Sequence, residues 1–263
     1  MKLKLCLIFF LTSCGLSALK KVIVPNLAYI VADKTGDQLD LYYSQEKKLK
    51  KEIKKLFQKK IPEIQKLKSV IQHIDIEKSE TQKVVNDLTE IFQINLFEFN
   101  IILSDYTAHL TREQQKRFFR IQKDKNEDIQ KRIKKKSVKR IIEHYEYFFG
   151  SLSKEQLELI KANEKVYLSL LEYRLERRLK VQKELLEIFK IAEKTKAKEK
   201  ILILYNQSSK DGQSSPMRQQ SVEVLKKIVK SLSQKQKKNF NESRDDILEW
   251  VDEFIRVYAK VEK

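Results

Sequence analysis

Residues that stop helices are scarce in this chain, which has four glycines and three prolines among its 263 residues. Apolar residues recur at intervals of three and four over long stretches, the pattern of an amphipathic helix. No segment shows convincing strand alternation, and ILILY at 201–205 is too short to judge alone. The pattern predicts an all-α protein, an elongated bundle of long antiparallel helices.

The predicted helices are long. The apolar period runs over 38–74, 79–106, 112–149 and 154–200. Three of these segments would give helices of about 35–45 residues, each roughly 50–70 Å long. Within 79–106, three additional apolar residues broaden the stripe, so we expect this helix to be covered on several sides: Ile94, Phe97 and Ile101.

Turns are predicted from the few glycines and prolines. A short helix over Asn26–Ala32, with Pro25 in its first turn, would end at a turn containing Gly36. Pro62 also suits a first helical turn, and Gly150 suits a turn.

The segment QSSKDGQSSP at 207–216 is the clearest predicted linker, with four serines, a glycine and a proline. The predicted organisation follows from it. Residues 1–13 are a lipoprotein-type signal peptide, 14–206 the main helical domain, 207–216 the linker, and 217–263 a C-terminal helical pair that packs on the bundle.

The N-terminus, MKLKLCLIFFLTSCG, has the layout of a secretory signal peptide: two lysines, a short apolar run and small residues. The apolar run is far shorter than the roughly 20 residues that span a bilayer. The ending Leu11-Thr12-Ser13-Cys14 resembles the bacterial lipobox. The resemblance implies cleavage before Cys14, attachment of diacylglycerol to its thiol, and acylation, commonly with palmitate, of the new N-terminus.

The alternative is that Cys14 is an ordinary small residue in a signal peptide cleaved elsewhere. If the lipobox operates, no disulfide can form within the mature chain, because Cys6 is removed. Gly15 stands where an Asp would retain enterobacterial lipoproteins in the inner membrane. The expected location is therefore the bacterial cell envelope, lipid-anchored, at the outer membrane.

The formal charge is +18, and it falls to +16 when two lysines leave with residues 1–13. For an exported protein this charge favours membrane lipids, lipopolysaccharide, acidic wall polymers or acidic client segments over nucleic acid. The densest basic run, KRIKKKSVKR, is a candidate anion-binding surface; a solvated helix face is the alternative. Its basic residues are Lys131, Arg132, Lys134, Lys135, Lys136, Lys139 and Arg140.

One short motif occurs three times: LTREQ at 110–114, LSKEQ at 152–156 and LSQKQ at 232–236. A Ser or Thr followed three residues later by Gln is typical of a capping box, in which the two residues satisfy free backbone N–H groups at a helix start. The motif residues are Leu110, Thr111, Gln114, Leu152, Ser153, Gln156, Leu232, Ser233 and Gln236. A weaker copy, LYYSQ at 41–45, lacks the cap hydroxyl.

Two resemblances arise here. The Leu-Thr-x-x-Gln signature is similar to that of the periplasmic helical chaperones of the Spy and CpxP type. A longer resemblance, through PNLAYIVADKTGDQLDLYYSQ, LFQKKIPEI and FFGSLSKEQ, is to a family of uncharacterised proteobacterial all-helical lipoproteins classed as a domain of unknown function. This chain has Phe57-Gln58-Lys59 where that family has Trp-His-Arg. The family resemblance implies no activity.

The sequence nominates no catalytic group, metal site or cofactor. It lacks a Gly-rich phosphate loop and a Gly-x-Ser-x-Gly elbow, and its three histidines lie on separate predicted helices. We expect a non-enzymatic binding, scaffold or chaperone-like module whose partners are the membrane and envelope proteins or anionic lipids. The alternatives are a binder of anionic envelope ligands and an enzyme with an unrecognised carboxylate pair.

Overall fold

The computed structural model describes residues 17–135, 138–212 and 215–259, and in these ranges it contains helices and no strand. The predicted all-α bundle is confirmed. The helices are α1 Ser17–Leu39, α2 Tyr43–Lys59, α3 Ile61–Gln72, α4 Thr81–Ala108, α5 Arg112–Lys134, α6 Lys139–Phe149, α7 Lys154–Ala162, α8 Glu164–Ile188, α9 Lys194–Asp211, α10 Pro216–Lys230 and α11 Gln234–Tyr258.

Most of the helices are shorter than predicted, and the longest described one, α4, has 28 residues. The segment 38–74 divides into α2 and α3, 112–149 into α5 and α6, and 154–200 into α7, α8 and the start of α9. The breaks are short, so the apolar period continues across them and does not reveal them. At the first break Pro62 lies in the first turn of α3, as predicted, where its missing N–H costs nothing.

The prediction of a short first helix with a turn at Gly36 is wrong. Pro25 and Gly36 both lie inside α1, and the chain turns instead at Asp40, which has a φ of 55°. Asp tolerates this left-handed conformation better than most residues because its short side chain can bond to the local backbone. Gly150 was correctly predicted as a turn residue, with a φ of 71° after α6.

Tyr258, at the end of α11, is inserted into the hydrogen bonding of α1. Its hydroxyl accepts from the backbone N–H of Ala28 at 3.0 Å and donates to the carbonyl of Val24 at 3.1 Å. In a regular α-helix those two backbone groups bond to each other. The insertion lies just after Pro25, where α1 already lacks one backbone N–H.

The main core joins α1, near the start of the described chain, to α11, near its end. It contains Val24 and Leu27 of α1, Ile53 of α2, and Trp250 and Phe254 of α11. A second cluster lies among α6, α7, α8 and α10, and a third between α3 and α11. Helix α11 therefore belongs to the same core as α1.

The C-terminal helices pack on the bundle separately. Helix α10 contacts α8, α4 and α7, whereas α11 contacts α3, α1 and α6. The predicted linker is also shorter, since Gln207–Asp211 is the last turn of α9 and α10 begins at Pro216.

Helix α4 was predicted to be covered on several sides, but the face that carries the three additional apolar residues is exposed. Ile94, Phe97 and Ile101 are 47, 51 and 37% exposed, and their i, i+3, i+7 spacing places them on one face of the helix. The N-terminal two thirds of α4 also lacks a fully buried residue before Asn100. Its inner face lines apolar cavities in the bundle.

Candidate functional site

The predicted lipidation residue, Cys14, lies outside the described residues, and so does Lys136 of the basic run. The rest of that run is not on one continuous helix. Helix α5 ends at Lys134 and α6 begins at Lys139.

The basic side chains around this break are mostly exposed. Lys131, Lys134, Lys135, Lys139 and Arg140 all face solvent. Arg132 is half-buried, and burial, followed by the nearby charge of Arg140, lowers its pKa. Interleaved apolar residues pack inward: Ile129 is buried, and Val138 and Ile141 contact the second core cluster. The run thus keeps a cationic surface on the end of α5 and the start of α6.

The three copies of the motif occupy helix starts. Thr111, Ser153 and Ser233 are the N-cap residues of α5, α7 and α11. Each hydroxyl accepts from the backbone N–H of the Gln three residues later, at 3.2–3.3 Å. Each Gln oxygen in turn accepts from the backbone N–H of its cap residue, at 2.9–3.0 Å.

The same glutamines also join distant parts of the chain, which the sequence did not predict. Gln156 Nε2 donates to Gln236 Oε1 at 3.2 Å, and Gln236 Nε2 donates to Gln156 Oε1 at 2.8 Å. Each Nε2 also reaches the backbone oxygen just before the partner motif's Leu: that of Ser231 at 3.2 Å and that of Ser151 at 3.0 Å. Both side chains are buried, 2 and 6% exposed.

A second glutamine pair includes the weak fourth copy of the motif. Gln114, fully buried, donates from Nε2 to Gln45 Oε1 at 2.8 Å and to the carbonyl of Asp40 at 2.7 Å. Asp40 is again the residue just before a motif Leu. Gln45 Oε1 also accepts from Tyr42 N at 2.9 Å, so half of a capping box forms at α2 without a cap hydroxyl.

One prominent apolar feature is a partly open cavity of about 510 Å³, which we call the apolar cavity. It lies between the start of α4 and helices α6, α8, α10 and α11. Its walls are aliphatic and aromatic, and they include Val85, Leu88, Phe148, Leu170 and Leu225.

Few polar groups face the apolar cavity. The hydroxyls of Tyr145 and Tyr167 lie 3.3 Å apart in its wall, and burial raises the pKa of both, which keeps them neutral. Burial is also the main cause that lowers the pKa of His144, which favours its neutral form. The wall therefore presents an uncharged surface over most of its area.

A smaller apolar cavity of about 150 Å³, the inner cavity, lies beside it between α3, α4 and α11. Ile71 and Ile247 line both spaces. Lys60, 5% exposed, also lines the inner cavity and bonds Glu98 at 2.8 Å and Glu63 at 3.4 Å. Two neighbouring apolar cavities therefore lie against α4.

The other side of the apolar cavity adjoins a polar groove of about 470 Å³. The groove shares Asp75 and Arg244 with the cavity, and Lys237, Lys238 and Glu77 also line it. Lys237 Nζ bonds the Glu77 carboxylate at 2.7 Å, and an Arg244 Nη1 donates to the Ile74 carbonyl at 3.0 Å. An apolar space thus opens beside a polar, partly cationic rim.

Two further results concern the described ranges only. Within 17–135, 138–212 and 215–259, no group of three or more His, Cys, Asp or Glu side chains could hold a metal ion. None of the helices in those ranges is both long enough and apolar enough to cross a bilayer.

The sequence missed the cavities because they arise from contacts between helices that are far apart in the chain. No local signal pointed to them, because the additional apolar residues of α4, Ile94, Phe97 and Ile101, line neither cavity. Comparisons of the chain with protein-family models, with curated proteins and with solved structures found no match in any of the three.

Proposed function

We propose that this chain is a lipid-anchored bacterial envelope protein, attached through Cys14, that acts by binding rather than by catalysis. We propose further that its ligand is an amphipathic, lipid-like molecule with an aliphatic chain. The observation that carries this proposal is the apolar cavity of about 510 Å³ with the inner cavity beside it.

The shape and lining of these spaces support a chain-like ligand. Native cores are close-packed, and voids much larger than a water molecule are rare in them. Known ligand cavities have volumes of about 300–1,000 Å³ with largely apolar walls, and the apolar cavity falls in that range. An aliphatic chain entering beside Leu88 would extend past Ile71 and Ile247 into the inner cavity.

The polar groove supports an amphipathic ligand in particular. A headgroup at Arg244 and Lys238 would lie next to the mouth of the apolar cavity. Burying an aliphatic chain contributes about 0.8 kcal/mol per methylene group, so the chain supplies most of the affinity and the head fixes its orientation.

The test is titration of the purified protein with a fluorescent fatty acid, with lysophosphatidylglycerol as competitor. Val85→Phe adds bulk inside the apolar cavity and should weaken binding at least tenfold. Val22→Phe is the matched control because Val22 is 60% exposed on α1. Equal affinity of the two variants, with both folded, would contradict the proposal.

Salt separates this proposal from anion binding by the basic run at 131–140. Binding through an aliphatic chain should persist at 1 M salt, where the Debye length is only ~3 Å. Binding of an anionic ligand to the exposed lysines alone should be lost under those conditions.

A second candidate function, a chaperone-like module, is favoured by the exposed apolar stripe of Ile94, Phe97 and Ile101 on α4. Exposed apolar stripes of this kind can bind unfolded segments. Phe97→Gln with Ile101→Gln should then reduce suppression of client aggregation and leave fatty-acid binding unchanged. Unchanged suppression would exclude this stripe as the client surface.

Anchoring is tested separately with radiolabelled palmitate. The native chain should become labelled and fractionate with the membrane, and Cys14→Ser should do neither. Continued labelling of Cys14→Ser would show that the lipobox assignment is wrong.

A further inference from the structure

Three half-buried arginines of α8, Arg174, Arg177 and Arg178, line a partly open cavity of about 120 Å³ in the bundle. The cavity lies where α8 faces α1, α4, α5 and α9. It shares no lining residue with the apolar cavity. Among its lining residues in the described ranges, none is an Asp or a Glu.

Arg178 is held by neutral groups. Its Nε donates to Asn126 Oδ1 at 2.9 Å, and its Nη2 donates to Gln122 Oε1 at 2.9 Å. Both amides belong to the buried face of α5. Asn126 is fixed in turn, since its Nδ2 donates to Gln182 Oε1 at 2.9 Å. These bonds orient the guanidinium but do not neutralise its charge.

The environment of Arg178 disfavours its charge. Burial, followed by the charges of Arg174 and Arg177, lowers the pKa of Arg178 to about 10. The group is still protonated at neutral pH, so a cation remains in a cavity wall that offers no carboxylate.

Arg177 has a buried donor without a partner. Its Nη1 is enclosed and makes no hydrogen bond within the described structure. Asp211 is close enough to raise the pKa of Arg177, but burial lowers it by more. The Asp211 carboxylate also accepts from Gln207 Nε2 at 2.6 Å.

Buried cations are normally paired with carboxylates, because an unpaired buried charge is costly. We propose that Arg177 and Arg178 form a binding site for one phosphate-type oxyanion, either free phosphate or the phosphate of a monoester. Guanidinium groups suit this ligand because their N–H donors match the spacing of oxyanion oxygens. The volume fits a single small group, since it is well below the 300 Å³ or more of most small-molecule sites.

Inorganic phosphate is the first probe, titrated calorimetrically into the full chain, with sodium chloride at equal ionic strength as reference. We expect one saturable site and a higher melting temperature in phosphate than in chloride. Absence of saturable binding by the folded chain would overturn the proposal.

Two variants locate the site. Arg178→Gln should weaken phosphate binding at least tenfold, the scale expected for losing charge-assisted hydrogen bonds. Arg120→Gln is the matched control, because Arg120 is an exposed arginine of α5 and its replacement removes the same charge. Equal weakening by both variants would mean diffuse attraction and would overturn the site.

A third variant changes no charge and covers the case in which Arg178→Gln fails to fold. Gly212 has an ordinary φ of −65°, so its backbone accepts alanine. A Cβ there would lie 1.5 Å from Arg177 Nη1 and must displace that guanidinium. Gly212→Ala should therefore weaken phosphate binding, and native affinity in a folded Gly212→Ala protein would exclude Arg177 from the site.

Glycerol 3-phosphate and a short-chain phosphatidic acid identify the source of the oxyanion. Tighter binding of the lipid than of inorganic phosphate would support a headgroup, and equal binding of all three would support free phosphate. This test is independent of the proposed function, since Val85→Phe should leave phosphate affinity unchanged.

Discussion

Both glutamine pairs join two helices, but they do so with different hydrogen bonds. In the Gln156–Gln236 pair, both residues follow a serine cap, and each amide donates to and accepts from the other. In the Gln45–Gln114 pair, only Gln114 follows a cap hydroxyl, and Gln45 accepts both of its bonds described above with one oxygen. The weaker copy of the motif at 41–45 keeps Leu41 and Gln45. Helix α2 still begins within it, and Gln45 still pairs with Gln114. The hydroxyl therefore serves the local cap, and the glutamine joins the helices.

The largest expected effect comes from replacing a donor amide by a carboxylate. Gln156→Glu keeps the oxygen that caps α7 but loses Nε2 and places negative charge against the Ser231 carbonyl. We expect it to lower the free energy of unfolding by about 3 kcal/mol, as for a buried unsatisfied charge. Urea denaturation followed by circular dichroism measures this.

Gln45→Glu is the matched control, because both bonds of Gln45 described above use its oxygen. This variant should lower the free energy of unfolding by less than about 1 kcal/mol. If Gln45→Glu were as destabilising as Gln156→Glu, the two pairs would not differ as described.

A double-mutant cycle should give the next largest effect. Gln156→Ala and Gln236→Ala should each lower the free energy of unfolding by about 2 kcal/mol. The loss in the double variant should be smaller than the sum of the two single losses by about 1 kcal/mol. The same cycle between Gln114 and Gln236 should be additive, because these residues belong to different pairs. Additivity within the Gln156–Gln236 pair would contradict a direct interaction.

Removing a cap hydroxyl should have a smaller effect. Thr111→Ala, Ser153→Ala and Ser233→Ala should each cost about 1 kcal/mol. Tyr42 has the extended conformation of an N-cap, with φ −72° and ψ 156°, and its side chain makes no cap bond. Tyr42→Ser should therefore stabilise the protein by about 0.5 kcal/mol. A loss of stability in this variant would show that Tyr42 contributes through its ring.

The smallest expected effect is a pH dependence of stability that arises at the Ser153 cap and not at the Ser233 cap. Ser153 Oγ donates to Glu155 Oε2 at 2.7 Å, and this bond is the main cause that lowers the pKa of Glu155. A carboxyl with a lowered folded pKa stabilises the protein above its unfolded pKa of about 4.3, and that contribution is lost as pH falls through the folded value. Ser153→Ala should therefore cost slightly more at pH 7 than at pH 3, and Ser233→Ala should cost the same at both.

The helix starts that depend on a local cap could be predicted from the sequence. The motif places Thr111, Ser153 and Ser233 at helix starts because a cap depends on residues only three positions apart. Helix ends without glycine or proline were missed, as at Ala162, where the apolar period runs through the break into α8. The structure also showed an exposed stripe at Phe97 where the sequence predicted coverage.

The candidate sites depend on contacts that no local pattern encodes. The apolar cavity forms only when α4, α6, α8, α10 and α11 have packed together. The arginines of α8 were not predicted as a site, because basic residues of an amphipathic helix usually lie on its solvated face. Their burial had one sequence signal, the polar residues Gln122 and Asn126 on the inward stripe of α5 that also carries Phe118 and Ile129.

The position of Tyr258 in the chain limits when α1 can reach its final structure. Its hydroxyl completes the hydrogen bonding of α1 between Val24 and Ala28, yet it lies in α11, more than two hundred residues later. A ribosome releases α1 long before α11, so α1 cannot reach its final state while the chain is still being made. The growing chain is thus held short of its native state until α11 appears, and a truncation before Tyr258 would leave α1 without these two hydrogen bonds.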